Sequence, residues 1–319
     1  MNINFQLSKI MNRFETHYKL GDMTKSKYLM IKRESSSPLG LFAYYISNLS
    51  WIEYALRFNM TPVIDMQNFP TAFHQNGEVK KINTWEYFFK QPLGISVEEA
   101  LDSGKARYVW RDVPEFHPNE SLDFLLDEDL AKYYRKIANR YVRFQDNVLE
   151  QLNNERETIL GIKGKHRIVG VLARGTDYVT LKPYAHPVQP NVNQLIEKIN
   201  KYREKYDCDK VYVATEDAQI LDRFKSVYGE DLLYTNQKRI YDTKEYLNYN
   251  AEFTERSPFE RGIEHLKSIY LLAGCNGMIA GRTSGTVGAL LMADHYEFLY
   301  VFSLGRYGIE EAILNNQIV

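Results

Sequence analysis

The sequence predicts an α/β protein whose C-terminal half is an open, doubly wound, mainly parallel sheet. From residue 168 onward, short apolar runs alternate with helix-length amphipathic stretches, the pattern of repeated βαβ units. Three of those runs end in polar, helix-opening loops. The length of 319 residues, with 44% hydrophobic and 25% charged residues, suits two globular domains better than one core.

The first half opens with a strand over 27–32, a polar loop over 33–38, a buried helix over 41–58 and a strand over 62–66 ending near Asp65. Strand, loop, helix, strand is the start of a βαβ unit. An aromatic, loop-rich stretch follows, then a strand over 108–110. Leu130, Tyr133, Tyr134, Ile137, Tyr141, Phe144, Val148 and Leu152 recur mostly at three- and four-residue intervals and predict one long helix over 127–157. Asp127, Glu128 and Asp129 stand at its start, where the helix dipole favours negative charge. That helix bridges a first domain over 1–157 and a second over 158–319.

In the second domain, strands are expected over 168–173, 210–214, 232–234, 277–280 and 297–302, with helices over 192–206, 218–228, 259–273 and 286–293. Ligands of such sheets lie beyond the carboxyl ends of the strands. Three loops therefore carry the candidate site: Arg174-Gly175-Thr176-Asp177, Thr215-Glu216-Asp217, and Gly281-Arg282-Thr283-Ser284-Gly285-Thr286. Arg174 offers a permanently charged fork shaped for a diphosphate, with Asp177 as its companion. The third loop places glycines and hydroxyls at a helix start, where free N–H groups attract anions; Thr283 or Ser284 would also serve as a helix cap. Glu216 and Asp217 could bind ribose or sugar hydroxyls, or cap the helix that follows.

Several classes are excluded. Net charge is −1, so no polyanionic nucleic-acid partner is implied. No apolar run approaches the roughly 20 residues of a membrane span, so no span is expected, and peripheral membrane contact stays compatible with the sequence. The N-terminus lacks the pattern of a secretory signal, and the two cysteines, Cys208 and Cys275, fit a reducing compartment, so a cytoplasmic location is expected. The basic run over 161–167 lacks P-loop spacing and precedes a strand, and no strand leads into the glycine fingerprint of a dinucleotide dehydrogenase. Asp207-Cys208-Asp209 has the spacing of a metal-dependent transferase but lies at a helix-to-strand turn on the opposite edge of the sheet, so no metal is expected there. The seven histidines show no metal spacing on a helix either.

Arg174-Gly175-Thr176-Asp177-Tyr178 at a strand end resembles the signature of the fucosyltransferase superfamily, which includes α1,2-, α1,6- and protein O-fucosyltransferases. The stretch from Val211 to Asp217 resembles that family's second motif, and Thr283-Ser284-Gly285-Thr286 its third. The resemblance covers about 168–305 in order and spacing, and the first half by topology only. It implies a GT-B fold, with two Rossmann-like domains facing a cleft and the N-terminal one on the acceptor side. It further implies an inverting, metal-independent transfer of L-fucose from GDP-fucose to a glycan or lipid-linked glycan, in a protein of the bacterial polysaccharide type. Carried over, Arg174 would hold the β-phosphate, Asp177 the nucleotide end, Asp217 the guanosine side, and Ser284 with its neighbouring amides the phosphate oxygens.

Three departures accompany the resemblance. Leu172 stands where the family has a histidine, and the Gly-x-Gly-Asn-Gln loop of the α1,2 enzymes is replaced by a segment over 37–42. The carboxylate found after the signature in some α1,6 enzymes falls near Lys182. An inverting reaction needs a base for the acceptor hydroxyl. His186, on the same loop as the signature, and Asp65, at a strand end of the first domain, are the two candidates. Another nucleotide sugar as donor, or a non-catalytic binding protein on the same fold, are the alternatives.

Overall fold

β1 (Tyr28–Ile31) begins a three-stranded parallel sheet in a computed structural model that describes residues 26–35, 39–241, 247 and 250–309. The segment over 36–38, which includes the first two residues of the 37–42 departure, lies outside the described residues. The chain divides into two compact units, Met1–Asn119 with Glu128–Gln145, and Glu120–Asp127 with Asp146–Val319.

In the first unit α1 (Leu41–Arg57) crosses over to β2 (Thr61–Ile64), and β3 (Ala106–Tyr108) completes the order β2-β1-β3. β1 pairs parallel to both neighbours, Met30 lying opposite Val63 and Tyr108. α1 is buried almost throughout, its few polar side chains included, as expected of a helix enclosed by its own unit. Its one buried acid, Glu53, is neutralised by Arg57 one turn on and accepts the Tyr133 hydroxyl at 2.5 Å. α2 (Val97–Asp102), capped by Ser96, lays Val97 and Ala100 on Tyr28, Met30 and Val63.

The long helix expected over 127–157 is two helices, α4 (Glu128–Tyr141) and α5 (Asp146–Leu160), which follow the short α3 (Leu122–Leu125). The break has a tertiary cause. Lys90 N–H donates to Arg143 O (2.7 Å), Gln145 N–H donates to Phe88 O (3.0 Å), and Phe144 stacks on Phe89. Those bonds take the backbone around 143–145 out of the helical ladder. α5 then belongs to the second unit, where Asn153 accepts the Tyr270 hydroxyl at 2.9 Å and Glu155 pairs with Lys267. The division falls at 145/146, not after 157.

The second unit is a five-stranded, all-parallel sheet in the order β6-β5-β4-β7-β8. Its strands are β4 (Ile168–Leu172), β5 (Lys210–Ala214), β6 (Leu232–Leu233), β7 (Gly277–Ala280) and β8 (Phe298–Val301). After β4 come α6 (Thr176–Leu181), which the periodicity did not reveal, and α7 (Val192–Lys205). α8 (Ala218–Tyr228), α9 (Ala251–Thr254), α10 (Pro258–Ala273) and α11 (Ser284–Met292) complete the unit.

The strands are buried on both faces, as parallel sheets with crossover helices must be. Val169, Val171 and Ala173 pack with Leu195, Ile199, Leu221 and Phe224 of α7 and α8. The alternate residues face α10, and at Gly170 the approach is so close that a Cβ would lie 2.7 Å from Leu272 Cδ1. From β4 the chain builds outward to β5 and β6, then returns to place β7 and β8 on the other side. The carboxyl ends of β4 and β7 therefore flank a topological switch point, where such sheets open a crevice.

Candidate functional site

The three loops predicted to carry the site leave β4, β5 and β7 at this edge, with Leu172 in register with both Ala214 and Ala280. The first loop is shaped by the second. Gly175 sits so near Asp217 that a Cβ would lie 2.3 Å from its Oδ2. Thr176 adopts φ +47°, a conformation that a β-branched residue occupies only when its surroundings over-determine it. Here Thr176 N–H donates to Asp217 Oδ2 (3.0 Å) and its hydroxyl donates to Glu216 Oε1 (3.3 Å). Gly175→Ala is therefore expected to lower stability by about 1–3 kcal/mol, read as a shift in the urea midpoint. An unchanged midpoint would mean that the two loops do not constrain each other.

Glu216 Oε1 takes three donors: Gly175 N–H at 3.2 Å, the Thr176 hydroxyl, and Arg174 Nη1 at 3.2 Å. Both charged side chains keep some contact with solvent, at 24% exposure for Arg174 and 15% for Glu216. Asp217 is the helix cap that was one of its two readings: its Oδ1 accepts Ile220 N–H at 3.0 Å while Oδ2 holds Thr176. The side chain of Asp177 lies outside the described residues.

Arg174 also lies over the ring of Tyr178, 4.8 Å from its centroid. The Tyr178 hydroxyl meets His186 Nδ1 at 3.0 Å, which brings the candidate base into the same cluster. The loop carrying His186 is tied down by Ala185 N–H to Tyr307 O (2.8 Å), Val188 N–H to Gly305 O (3.0 Å) and Arg306 Nη1 to Ala185 O (2.8 Å). Gln189 continues the link, its amide donating to Arg282 O on the third loop at 3.2 Å.

In the third loop Thr283 is the cap, accepting Thr286 N–H at 3.1 Å, and the Thr286 hydroxyl donates to Gly281 O at 2.6 Å. Arg282 is buried and donates through Nε to Glu120 O at 2.8 Å, so part of its fork is spent on holding a neighbouring segment. Ser284 is half-buried at the first turn of α11. Gly285 provides close packing, since a Cβ there would lie 3.2 Å from Leu172 Cδ2 and 3.3 Å from Ile269 Cδ1. Leu172 is thus a core contact beneath α11.

Two groups escaped the sequence reading. His265 on α10 is pushed down to about 4, first by burial and then by the Arg174 cation, and so is neutral beside the site at pH 7. Arg239 donates to the carbonyls of Thr215 (3.1 Å), Gln237 (3.0 Å) and Thr235 (2.9 Å), fastening the loop after β6 to the Glu216 loop. Neither lies in a motif; both come near through the parallel crossovers.

Asp65 is corrected. It follows β2 in the first unit with 0% exposure, and its carboxylate accepts four hydrogen bonds. These come from the Gln67 and Asn68 N–H groups (3.0 Å each), Asn68 Nδ2 (2.9 Å) and the Tyr108 hydroxyl (2.6 Å). A sealed, fully engaged carboxylate holds a turn together and has no lone pair to offer an acceptor. Asp209, at the helix-to-strand turn, accepts Arg167 N–H at 2.7 Å and pairs with His166. Among the described residues no three His, Cys, Asp or Glu side chains gather as a metal site.

No family model matches the sequence. One curated protein, a probable dual-specificity RNA methyltransferase RlmN of Spiroplasma citri, is 36% identical over 84 residues. That stretch is 26% of this chain and 22% of that protein, too little to show a family. The solved structures match far more of the chain. The NodZ α-1,6-fucosyltransferase soaked with GDP-fucose superposes with a TM-score of 0.53 at 17% identity, covering 89% of this chain and 98% of that one. NodZ co-crystallized with GDP gives 0.50 at 17% identity over 84% and 93%, and NodZ from Bradyrhizobium in selenomethionine form gives 0.53 at 19% over 89% and 97%. The chain has the α/β fold of these fucosyltransferases.

Proposed function

We propose that this chain, built on the fucosyltransferase fold, is a glycosyltransferase that moves L-fucose from GDP-fucose to a hydroxyl of a glycan or lipid-linked glycan. The observation that carries the reading is the cluster at the β4–β5 edge. A fixed guanidinium, a backbone N–H and a hydroxyl converge on one oxygen beside the switch point. Donors arranged in that way suit a phosphate oxygen.

As the bond to the sugar breaks, negative charge grows on the leaving diphosphate. Arg174 meets that charge on the β-phosphate, with Gly175 and Thr176 beside it, while Ser284 and the first-turn amides of α11 take further phosphate oxygens. A site that answers leaving-group charge with fixed donors requires no metal. Inversion would then need one proton removed from the acceptor. His186 serves as that base in the tautomer whose Nδ1–H donates to the Tyr178 oxygen, which leaves the Nε2 lone pair free to take the acceptor's proton. Asp217 acts by holding Thr176 and α8 in place.

The test is a panel of nucleotide sugars with glycan and lipid-linked acceptors, scored by released nucleoside diphosphate and glycosylated product. GDP-fucose is the expected donor, and EDTA is expected to leave the rate unchanged. A strict requirement for a divalent ion, or turnover with another nucleotide sugar alone, would overturn the reading. Leu172 in the histidine's place favours one second reading, binding without turnover; GDP affinity with no product from any acceptor would establish it. Among the described residues no helix is long and apolar enough to cross a membrane, and a cytoplasmic site of action, with acceptors reached at the membrane surface, belongs to the same proposal.

A further inference from the structure

The most informative atom in the site belongs to the protein itself. Glu216 Oε1 lies 3.2 Å from Arg174 Nη1, 3.2 Å from Gly175 N and 3.3 Å from Thr176 Oγ1. A cation, a main-chain N–H and a hydroxyl on one anionic oxygen is the coordination that a phosphate oxygen takes in a protein. The neighbouring carboxylate is used quite differently. Asp217 divides its oxygens between two backbone N–H groups, those of Thr176 and Ile220. Glu216 caps no helix, since that role is filled by Asp217. Its side chain is 15% exposed, so the carboxylate is in contact with solvent at the rim of the site.

We infer that Glu216 is a stand-in anion, occupying in the resting protein the position that the donor's phosphate oxygen takes, so that donor binding displaces it. The inference rests on the nucleotide-sugar reading for the identity of the ligand, though not for the displacement itself. Arg174 is thereby kept oriented while the site is empty. The same contact competes with the ligand, because a phosphate must first free Arg174, Gly175 and Thr176. A ligand whose site is filled by an internal competitor binds more weakly by the fraction of time the site is open.

The experiment compares wild type, Glu216→Gln and Glu216→Ala by calorimetry, with inorganic pyrophosphate and GDP as separate probes. Folding of each variant is checked by its melting curve. Both variants are expected to bind pyrophosphate and GDP about tenfold tighter than wild type, the scale of one charge-assisted hydrogen bond removed from the competing state. The measurement is repeated at about 1 M salt, where the Debye length is only about 3 Å. Direct occupancy predicts that the ratio between variant and wild type persists there, whereas relief of long-range repulsion would erase it.

Equal or weaker binding in both variants overturns the inference and would make Glu216 a residue that positions Arg174 or contacts the ligand. A gain that vanishes at high salt also overturns it. Tighter pyrophosphate binding without any GDP binding upholds the stand-in and removes the GDP-fucose reading. GDP binding in wild type with no gain in either variant does the reverse. Failure of all three proteins to bind either probe removes both.

Discussion

Arg174→Ala is expected to lower sugar transfer about a thousandfold in kcat/KM, the scale of losing a principal electrostatic donor to the transition state. The fold should survive, because Glu216 keeps the Gly175 N–H and the Thr176 hydroxyl as partners and some contact with solvent when the guanidinium is removed. Steady-state assays at saturating acceptor, together with melting curves, separate the two effects. Arg174→Lys should recover only part of the loss. An ammonium can replace the charge, but not a planar fork that lies 4.8 Å over Tyr178 and reaches Glu216 with one Nη. Full activity in Arg174→Ala would mean that the leaving diphosphate is met elsewhere, and the proposed chemistry would fall with it.

Asp65→Ala is expected to have the largest effect on stability. It strips the partner from the Tyr108 hydroxyl, two backbone N–H groups and the Asn68 amide around a carboxylate that itself has no exposure. Four hydrogen bonds to one charged carboxylate, at about 1–3 kcal/mol each before the released donors find water, make a net cost of about 3–5 kcal/mol. That is a large share of the roughly 5–15 kcal/mol that holds a domain folded. Urea titration followed by circular dichroism would read it, or the protein would fail to accumulate in soluble form. Asp65→Asn tests the alternative role directly. Assayed at a temperature where it remains folded, it should keep its transfer rate within about tenfold, since a lost general base costs 10²–10⁴. A stable, folded and inactive Asp65→Asn would restore Asp65 as the base.

The contrast between these two residues marks the limit of what could be read along the chain. Both stand at the end of a strand and both carry charge, and in sequence they look equally catalytic. The place of Arg174 at the sheet edge was legible because its loop repeats a polar pattern at three strand ends of one sheet, and strand order brings those ends together. Asp65 was misread because its four partners include Tyr108, 43 positions away on another strand. The helix over 127–157 failed for a similar reason. Its periodicity runs on through Phe144, and only the pairing of 143–145 with 88–90 interrupts it.

In the second unit the helix and strand assignments held to within a residue or two. There the central strands are apolar on both faces and α7 and α8 each carry one apolar stripe, so local pattern and global packing make the same demand. The contents of the site were less visible. His265 comes from α10 and Arg239 from the loop after β6, and neither stands in a recognisable motif. Tyr178 was in view inside the signature, but its position between Arg174 and His186 depends on how α6 turns after the strained Thr176.

By itself the sequence determined the alternation of β and α, the parallel sheet and the three loops at its carboxyl edge. Those follow from periodicity and turn chemistry, which act over a few residues. The tertiary structure decided that Asp65 is sealed, that Leu172 packs against α11, and that Glu216 instead of solvent meets Arg174. Those outcomes depend on burial and on partners far apart in the chain, and burial is a property that no single stretch of sequence possesses.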